Sequence, residues 1–292
     1  PPLDTILSWP TPNYVDPETK SKAVLIIACV FGPLTLGLFI GRLWVRLKIQ
    51  KNAGWDDWLM IVAMVPVMAL TVILPLITEV YHTNKHIWDV KPRYFVTQRK
   101  FLLVIETVFS FATGLIKISI LLFFRRLSSR SVTPSFRHAT WISIGFIATS
   151  SIAFTLVPIF GCQPISAFWE QVDWEKRTHG YKFSCFNEGA DVTAAGIISA
   201  IQDLITAVLP TFLYWNLQVP LRQKIALFGI FAFGYVGVAI GAARAYLCWY
   251  AFFGTYDVTW AAWDTSLFTL LELHIGTTCA NAPALKVFFK HY

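Results

Sequence analysis

Charged residues are scarce in this 292-residue chain. Only 14% of the residues are Asp, Glu, Lys or Arg, whereas 55% are hydrophobic and 16% are aromatic. The mean hydropathy is +0.56. This composition is typical of a protein that lies in a lipid bilayer rather than in water.

Several signals of other functions are also missing. No CxxC or Cys/His spacing indicates a structural zinc site, and no basic run with interleaved aromatics indicates a nucleic-acid surface. No internal repeat or pair of broken helices points to a transporter. We therefore expect no metal, no cofactor and no nucleic-acid partner.

Seven long apolar stretches predict a seven-helix transmembrane bundle. A helix of about 20 apolar residues crosses the hydrocarbon core, since lipid offers the backbone no hydrogen-bond partner. The predicted spans are approximately 23–47, 56–80, 100–124, 139–161, 191–216, 225–252 and 260–284. The expected fold class is an all-α membrane protein, with an extracellular N-terminal arm at 1–22 and a seven-helix transmembrane domain at 23–292.

Basic residues gather in every second connection. They follow predicted helices 1, 3 and 5 and the last helix: Arg42, Arg46, Lys48, Lys51, Arg125, Arg126, Arg130, Arg137, Arg222, Lys224, Lys286 and Lys290. The positive-inside rule makes this side cytoplasmic and places the N-terminus outside, although the 81–99 loop is also basic and weakens the asymmetry. Topology and anionic lipid thus explain the net charge of +7. The membrane is expected to be the plasma membrane or the endoplasmic reticulum.

Two of the five cysteines flank the long loop 162–190 on the outer side. Because that compartment is oxidising, a disulfide between Cys162 and Cys185 is favoured, and two free thiols are the alternative. The disulfide would hold the loop near the ends of helices 4 and 5. Cys29, Cys248 and Cys279 lie in predicted helices, where a lone thiol behaves as a small apolar residue.

Ionisable residues inside the predicted spans are the strongest sign of a site. Each costs roughly 2.5–3.5 kcal/mol at the bilayer centre, so such side chains usually face a partner or a polar cavity. We expect the carboxylates and the arginine to form one connected group below the outer loops: Glu106, Asp203, Arg244, Asp264 and Glu272. With Lys117 and Trp260, these are the ligand-pocket candidates of an outward-facing cavity.

A purely structural role for these residues is the alternative. Arg244 would then pair with Glu106 or Asp264, and Lys117 with Asp203 or Glu272, so that salt bridges lock the bundle. The two interpretations are compatible, because a binding site often borrows charges from a structural network.

A second charged group is predicted at the cytoplasmic end of the bundle. Asp56 and Asp57 lie in the first turn of helix 2, where carboxylates accept backbone N–H groups and oppose the helix dipole. They also face Arg42 and Arg46 across the short inner turn. This patch is read as structural, with a surface that couples to a cytoplasmic effector as the alternative.

Two well-known classes of seven-helix protein do not fit. A retinal protein needs a lysine near the middle of helix 7, and this helix has none before Lys286. Animal-type receptors carry a DRY-like triplet at the inner end of helix 3, whereas residues 123–127 read FFRRL. The proline typical of the middle of helix 6 in those receptors is also missing.

A series of short motifs occurs in a fixed order from about residue 25 to 289: Arg42, Arg46, Gly54-Trp55-Asp56-Asp57-Trp58, His82, Lys117, Ser119, Cys162, Pro164, Phe168, Trp169, Cys185, Asp203, Pro210, Trp215, Arg244, Asp257, Trp260 and Glu272. In this order and spacing the chain resembles one family, the fungal rhodopsin domain of seven-helix membrane proteins. The resemblance implies a membrane protein related to surface-sensing receptors and to members of secondary-metabolite clusters.

Two functions remain open at this point. The first is a receptor that binds a small, lipophilic ligand in an outward-facing cavity and signals to a cytoplasmic effector. The second is an intramembrane isomerase or cyclase acting on a lipophilic secondary metabolite. Its proton donors would be buried carboxylic acids, with Glu106, Asp203, Asp264 and Glu272 as the catalytic candidates. In both cases the lipid bilayer is the surrounding partner.

Overall fold

The protein is a bundle of long helices. The computed structural model describes residues 2–127, 134–215 and 221–291, so Arg130 and residue 216 lie outside the described residues. The long helices among these residues are α1 (Ala23–Trp44), α2 (Trp55–Glu79), α3 (Phe95–Leu127), α4 (Pro134–Phe160), α5 (Glu188–Trp215), α6 (Leu221–Trp249) and α7 (Val258–His291). π-Helical turns at Val45–Ile49 and Tyr250–Gly254 extend α1 and α6.

Short elements occupy the connections. Helical turns lie at Leu3–Leu7, Ile87–Asp89, Pro92–Tyr94, Ala167–Glu170 and Trp174–Thr178. Two strands, β1 (Cys162–Gln163) and β2 (Ser184–Cys185), pair antiparallel. All of these elements connect or precede the long helices at one end of the bundle.

Six of the long helices, α1–α6, contain a stretch long and apolar enough to cross a membrane, counted over the described residues. α7 is not among the six, although it has 34 residues. It carries Asp264, Glu272 and His274 and packs against α1, α2, α3 and α6. A helix surrounded by protein can hold polar residues that a lipid-facing helix cannot. The seventh span therefore stays a prediction.

An apolar core lies between α1, α2, α3 and α7. It contains buried side chains such as Leu70 of α2, Phe109 of α3 and Leu270 of α7. The opposite side of α2 exposes Val65 and Val72. Apolar side chains on this outer surface are suited to lipid contact, because lipid is as apolar as the core.

A disulfide between Cys162 and Cys185 joins β1 to β2, as the sequence predicts. We call this end of the bundle the disulfide end. Phe168 of the same loop is buried, and Arg99 at the start of α3 donates to its carbonyl oxygen at 3.2 Å. Arg99 also binds Glu188 at the start of α5 through two hydrogen bonds of 2.6 and 2.5 Å. The loop is therefore fixed to both α3 and α5.

The N-terminal arm packs against the disulfide end. The Asn13 amide donates to Asp89 Oδ1 at 2.8 Å, and the Lys20 amide donates to the Asn84 carbonyl at 2.9 Å. Trp9 packs against Trp88 with 5.8 Å between ring centroids. The arm is thus held by the loop between α2 and α3. The domain boundary after residue 22 stays a prediction.

Candidate functional site

The charged residues of the bundle meet where α5 presents a polar face to its neighbours. Asp191, Ser199 and Gln202 are separated by 8 and 3 residues, a spacing that places them on one side of a helix. This side faces Lys117 of α3, and beyond it lie α6 and α7. The charges therefore gather between four helices rather than facing lipid.

Arg244 of α6 and Glu272 of α7 form the centre of this group. Arg244 Nε donates to Glu272 Oε2 at 2.6 Å, and Nη2 donates to Oε1 at 3.4 Å. Both residues are buried, at 6% and 5% exposure. The guanidinium also lies 4.4 Å from the centre of the Phe109 ring. Both charges of the pair are therefore satisfied away from water.

Lys117 of α3 extends the group to α5. Its Nζ lies 3.0 Å from Asp203 Oδ1 and donates to both the carbonyl and the hydroxyl of Ser199 at 2.9 Å. Nζ also donates to Gln202 Oε1 at 3.3 Å. The Ser199 hydroxyl in turn donates to Glu272 Oε1 at 2.9 Å. Ser199 thus connects the two ion pairs.

We call these six residues the polar cluster: Lys117, Ser199, Gln202, Asp203, Arg244 and Glu272. Two cations face two carboxylates, so the cluster is balanced in charge. Removing one partner of such a buried pair is costly, because the other charge stays buried. The structure differs from the sequence expectation for Arg244, which pairs with Glu272 and not with Glu106 or Asp264. Lys117 pairs with Asp203, one of the two partners considered.

A cavity lies on the disulfide side of the polar cluster, between α3, α4, α5 and α6. It contains about 530 Å³ of space free of atoms, part of which is open. The wall includes apolar groups and several polar ones: Glu106, Ser110, Ser151, Phe154, Asp191 and Arg244. We call it the Glu106 cavity. Its lining, apolar side chains with a few polar groups among them, is typical of a small-molecule site.

Glu106 is the unusual residue of this wall. Both carboxylate oxygens are buried, and neither has a hydrogen-bond partner in the part of the chain that the structure describes. A buried polar group without a partner costs roughly 1–3 kcal/mol. The carboxylate of Asp191, on the same wall, makes no hydrogen bond or ion pair with any described residue either. The cavity therefore offers two acceptor groups that the protein leaves unused.

A second cavity lies on the other side of the polar cluster, between α3, α5, α6 and α7. It contains about 690 Å³ of space, part of it open, and its wall includes Lys117, Asp203, Thr206 and Cys279. Thr113 lines both cavities. The polar cluster thus forms the layer that separates two cavities.

The expectation of one connected group is wrong for Glu106, which has no partner in the polar cluster, and for Asp264, which lies apart from it. Asp264 forms an ion pair with Lys20 of the N-terminal arm. The Lys20 ammonium also lies 4.9 Å from the Trp260 ring centre and 5.0 Å from that of Trp263. The opposite face of Trp260 stacks on His86, with 3.8 Å between centroids. Trp260 and Asp264 therefore hold the arm.

The patch of Arg42, Arg46, Asp56 and Asp57 lies at the opposite end, which we call the patch end. Arg42 is 1% exposed and binds Asp56 at 2.9 Å and Asp57 at 3.0 Å. Its Nη1 also donates to the Ala280 carbonyl of α7 at 2.6 Å. Asp57 accepts the Gly54 amide at 3.0 Å, and Arg46 lies 3.7 Å from Asp57. The patch thus connects α1, α2 and α7.

Sequence reasoning overlooked three residues of these sites. Arg126 of α3 joins the patch through a 3.2 Å contact with Asp56, and Gln202 and Asp191 belong to the site in the bundle. The signal for the last two is the helical spacing from Asp191 through Ser199 to Gln202, which places them on one face. The sequence marks Arg126 only as one of the basic residues that follow predicted helix 3.

The model of the family described as fungal rhodopsin domain matches residues 41–291. The polyenoic acids biosynthesis gene cluster protein Ba17b of Metarhizium anisopliae is 24% identical over 90% of the chain and 70% of its own length. The receptor GIN3 of Arthrobotrys oligospora is 26% identical over 94% and 64%, respectively.

A third relative is a SAT4 family membrane protein of Emericella nidulans, 24% identical over 86% of the chain and 59% of its own length. The chain thus spans about two thirds of the length of these relatives. No solved structure matches it significantly.

Proposed function

The chain belongs to the fungal rhodopsin domain family of multi-pass integral membrane proteins, and on that premise we propose that it is a receptor. It binds a small, lipophilic ligand in the Glu106 cavity. The proposal includes a seventh membrane span by α7, with the N-terminus outside and the C-terminus in the cytoplasm. Basic residues at the patch end and the disulfide at the other end support this orientation.

The observation that carries the proposal is the unpartnered carboxylate of Glu106. Its two buried oxygens lie on the wall of a cavity of about 530 Å³. A ligand that donates hydrogen bonds to these oxygens removes a desolvation cost that the empty protein bears. The aromatic and aliphatic part of the same wall suits the apolar body of the ligand.

The polar cluster offers a route from the ligand to the rest of the bundle. Arg244 lines the Glu106 cavity, and its partner Glu272 lines the second cavity. A ligand that shifts Arg244 therefore changes contacts of α6 and α7 at the same time. We propose that this rearrangement alters the patch end, where a cytoplasmic effector binds. One relative is named a receptor, which supports the same reading.

Filling the Glu106 cavity with a large side chain tests whether the ligand binds there. Ala195 of α5 lines it, whereas the neighbouring Ala194 is exposed on the outside of the bundle. We expect small lipophilic compounds from a fragment library to raise the melting temperature of the wild type and of Ala194→Trp. The same compounds should leave Ala195→Trp unchanged, because the indole occupies their site. Equal shifts in both variants would locate the binding elsewhere and refute the proposal.

A second candidate, an intramembrane isomerase or cyclase, has one specific observation in its favour. Arg244 is engaged by Glu272, so the carboxyl of Glu106 is left without a paired cation and is free to exchange a proton with a bound molecule. One relative is named for a biosynthesis gene cluster.

Deuterium uptake separates the two candidates. Fragments that bind in the cavity are incubated with the protein in D₂O and analysed by mass spectrometry. Carbon-bound deuterium that appears with the wild type and disappears with Glu106→Gln would favour the enzyme. Recovery of chemically unchanged fragments is the result expected of a receptor.

A further inference from the structure

We infer that the ligand of the Glu106 cavity carries a protonated amine, held between Glu106 and Asp191. The inference rests on the proposed function and goes beyond it by naming the ligand's polar group. It follows from which of the charged residues around the cavity are paired and which are not.

The positive charges near the cavity are already engaged. Arg244 binds Glu272, and Lys117 binds Asp203. At the disulfide end, Arg99 binds Glu188 through both carboxylate oxygens. Each of these pairs is neutral in itself. None of them leaves a cation for the carboxylates on the cavity wall.

Two carboxylates remain after these pairs are formed. Glu106 and Asp191 line the same cavity, on α3 and α5, and neither carboxylate has a hydrogen bond or an ion pair among the described residues. The wall therefore presents two carboxyl groups without a cation to neutralise them. A cationic ligand supplies that charge, whereas an anionic ligand would find no positive partner there.

An ammonium group fits these two carboxyl groups better than a hydroxyl group does. A hydroxyl has one proton to donate, so it leaves one of the two carboxylates without a donor. An ammonium has three donors and a positive charge, so it can donate to both side chains at once and also neutralise a carboxylate. The rings of Phe109 and Phe154 on the same wall provide the apolar surroundings for its carbon skeleton.

Two matched series of small molecules test the inference. In the indole series, tryptamine, tryptophol and indole-3-acetate present an ammonium, a hydroxyl and a carboxylate on similar skeletons. In the phenyl series the equivalents are phenethylamine, 2-phenylethanol and phenylacetate. Dissociation constants are measured by calorimetry with the purified protein in nanodiscs at neutral pH. In at least one series we expect the amine to bind about tenfold more tightly than the alcohol.

Side-chain replacements assign the preference to the two carboxylates. Glu106→Gln and Asp191→Asn keep the size of each side chain and remove its charge. Each should bring the amine and the alcohol of the responding series to similar affinities. Glu175→Gln, on an exposed helical turn of the loop, is the matched control and should keep the preference.

The outcomes separate this inference from the proposed function. If neither series shows a preference for the amine, or if the preference survives Glu106→Gln, the inference is overturned. The receptor proposal then still stands, provided that Ala195→Trp continues to exclude the library fragments. If fragments bind Ala195→Trp as well as Ala194→Trp, both ideas fail together.

Discussion

Replacing Arg244 by methionine is expected to destabilise the bundle strongly. Removing one partner of a buried ion pair costs about 3–5 kcal/mol, because the remaining charge stays in a site without water. Glu272 is 5% exposed, so solvent cannot replace the guanidinium. Ser199 still donates to Glu272 at 2.9 Å, and this bond places the expected cost near the lower limit, about 3 kcal/mol.

A double replacement tests whether this loss comes from the pair. Glu272→Met alone should also destabilise, because it leaves Arg244 buried without a carboxylate. When both residues are methionine, no unpaired charge remains, and apolar replacements of a buried pair are often close to neutral. The double variant should therefore lose less than the sum of the two single losses, by at least about 2 kcal/mol.

Unfolding in mixed detergent micelles provides the measurement, with helix content followed by circular dichroism as the denaturing detergent increases. Arg137→Met, on the exposed first turn of α4, is the control and should unfold like the wild type. Additive losses in the double variant would mean that Arg244 and Glu272 are not energetically coupled. Wild-type stability of Arg244→Met would refute the reasoning outright.

Three further changes test other parts of the structure. Gly54→Ala should lose about 1 kcal/mol in the same titration, since a Cβ would collide with Arg126 Nη1 and Asp56 Oδ1 and disturb their ion pair. Gly37→Ala, with open space around it, should not. Cys162→Ser should speed protease cleavage of the 162–190 loop, yet move the unfolding midpoint of the bundle little, because the disulfide joins only β1 and β2. Lys20→Met should release the arm from its partner on α7, which limited proteolysis of residues 1–22 would detect; equal cleavage of both proteins would contradict that anchoring.

The helices were predictable from the sequence because lipid imposes a simple rule on composition. Long apolar stretches marked α1 to α6 within a few residues at most ends. α3 begins at Phe95, about one turn before the predicted start, since a segment that contains Thr97, Gln98 and Arg99 continues the helix beyond the apolar stretch. Apolarity marks where lipid begins and not where hydrogen bonding ends.

The burial of the charged residues followed from the cost of exposing them to lipid, whereas their partners did not. Spacing gives the face and the depth of a residue on its own helix, but it does not give the rotation of one helix against another. Arg244 therefore pairs with Glu272, whereas the sequence predicts Glu106 or Asp264 as its partner. Asp264 is held by Lys20, and the arm that carries Lys20 has no periodic pattern from which its path could be read.

The paired charges of this bundle stabilise its packing, whereas the unpaired Glu106 is the group that the proposed function uses. Arg244, Glu272, Lys117 and Asp203 neutralise one another without help, so the packing of α3, α5, α6 and α7 needs no ligand. Glu106 takes no part in those pairs, and a residue kept only for packing would gain nothing from a buried carboxylate without a partner. Its carboxylate oxygens line the same cavity as Arg244. Under the inference above, the charge of a cation bound there would act on the polar cluster, and Arg244, which stabilises the bundle, would be the group that senses it.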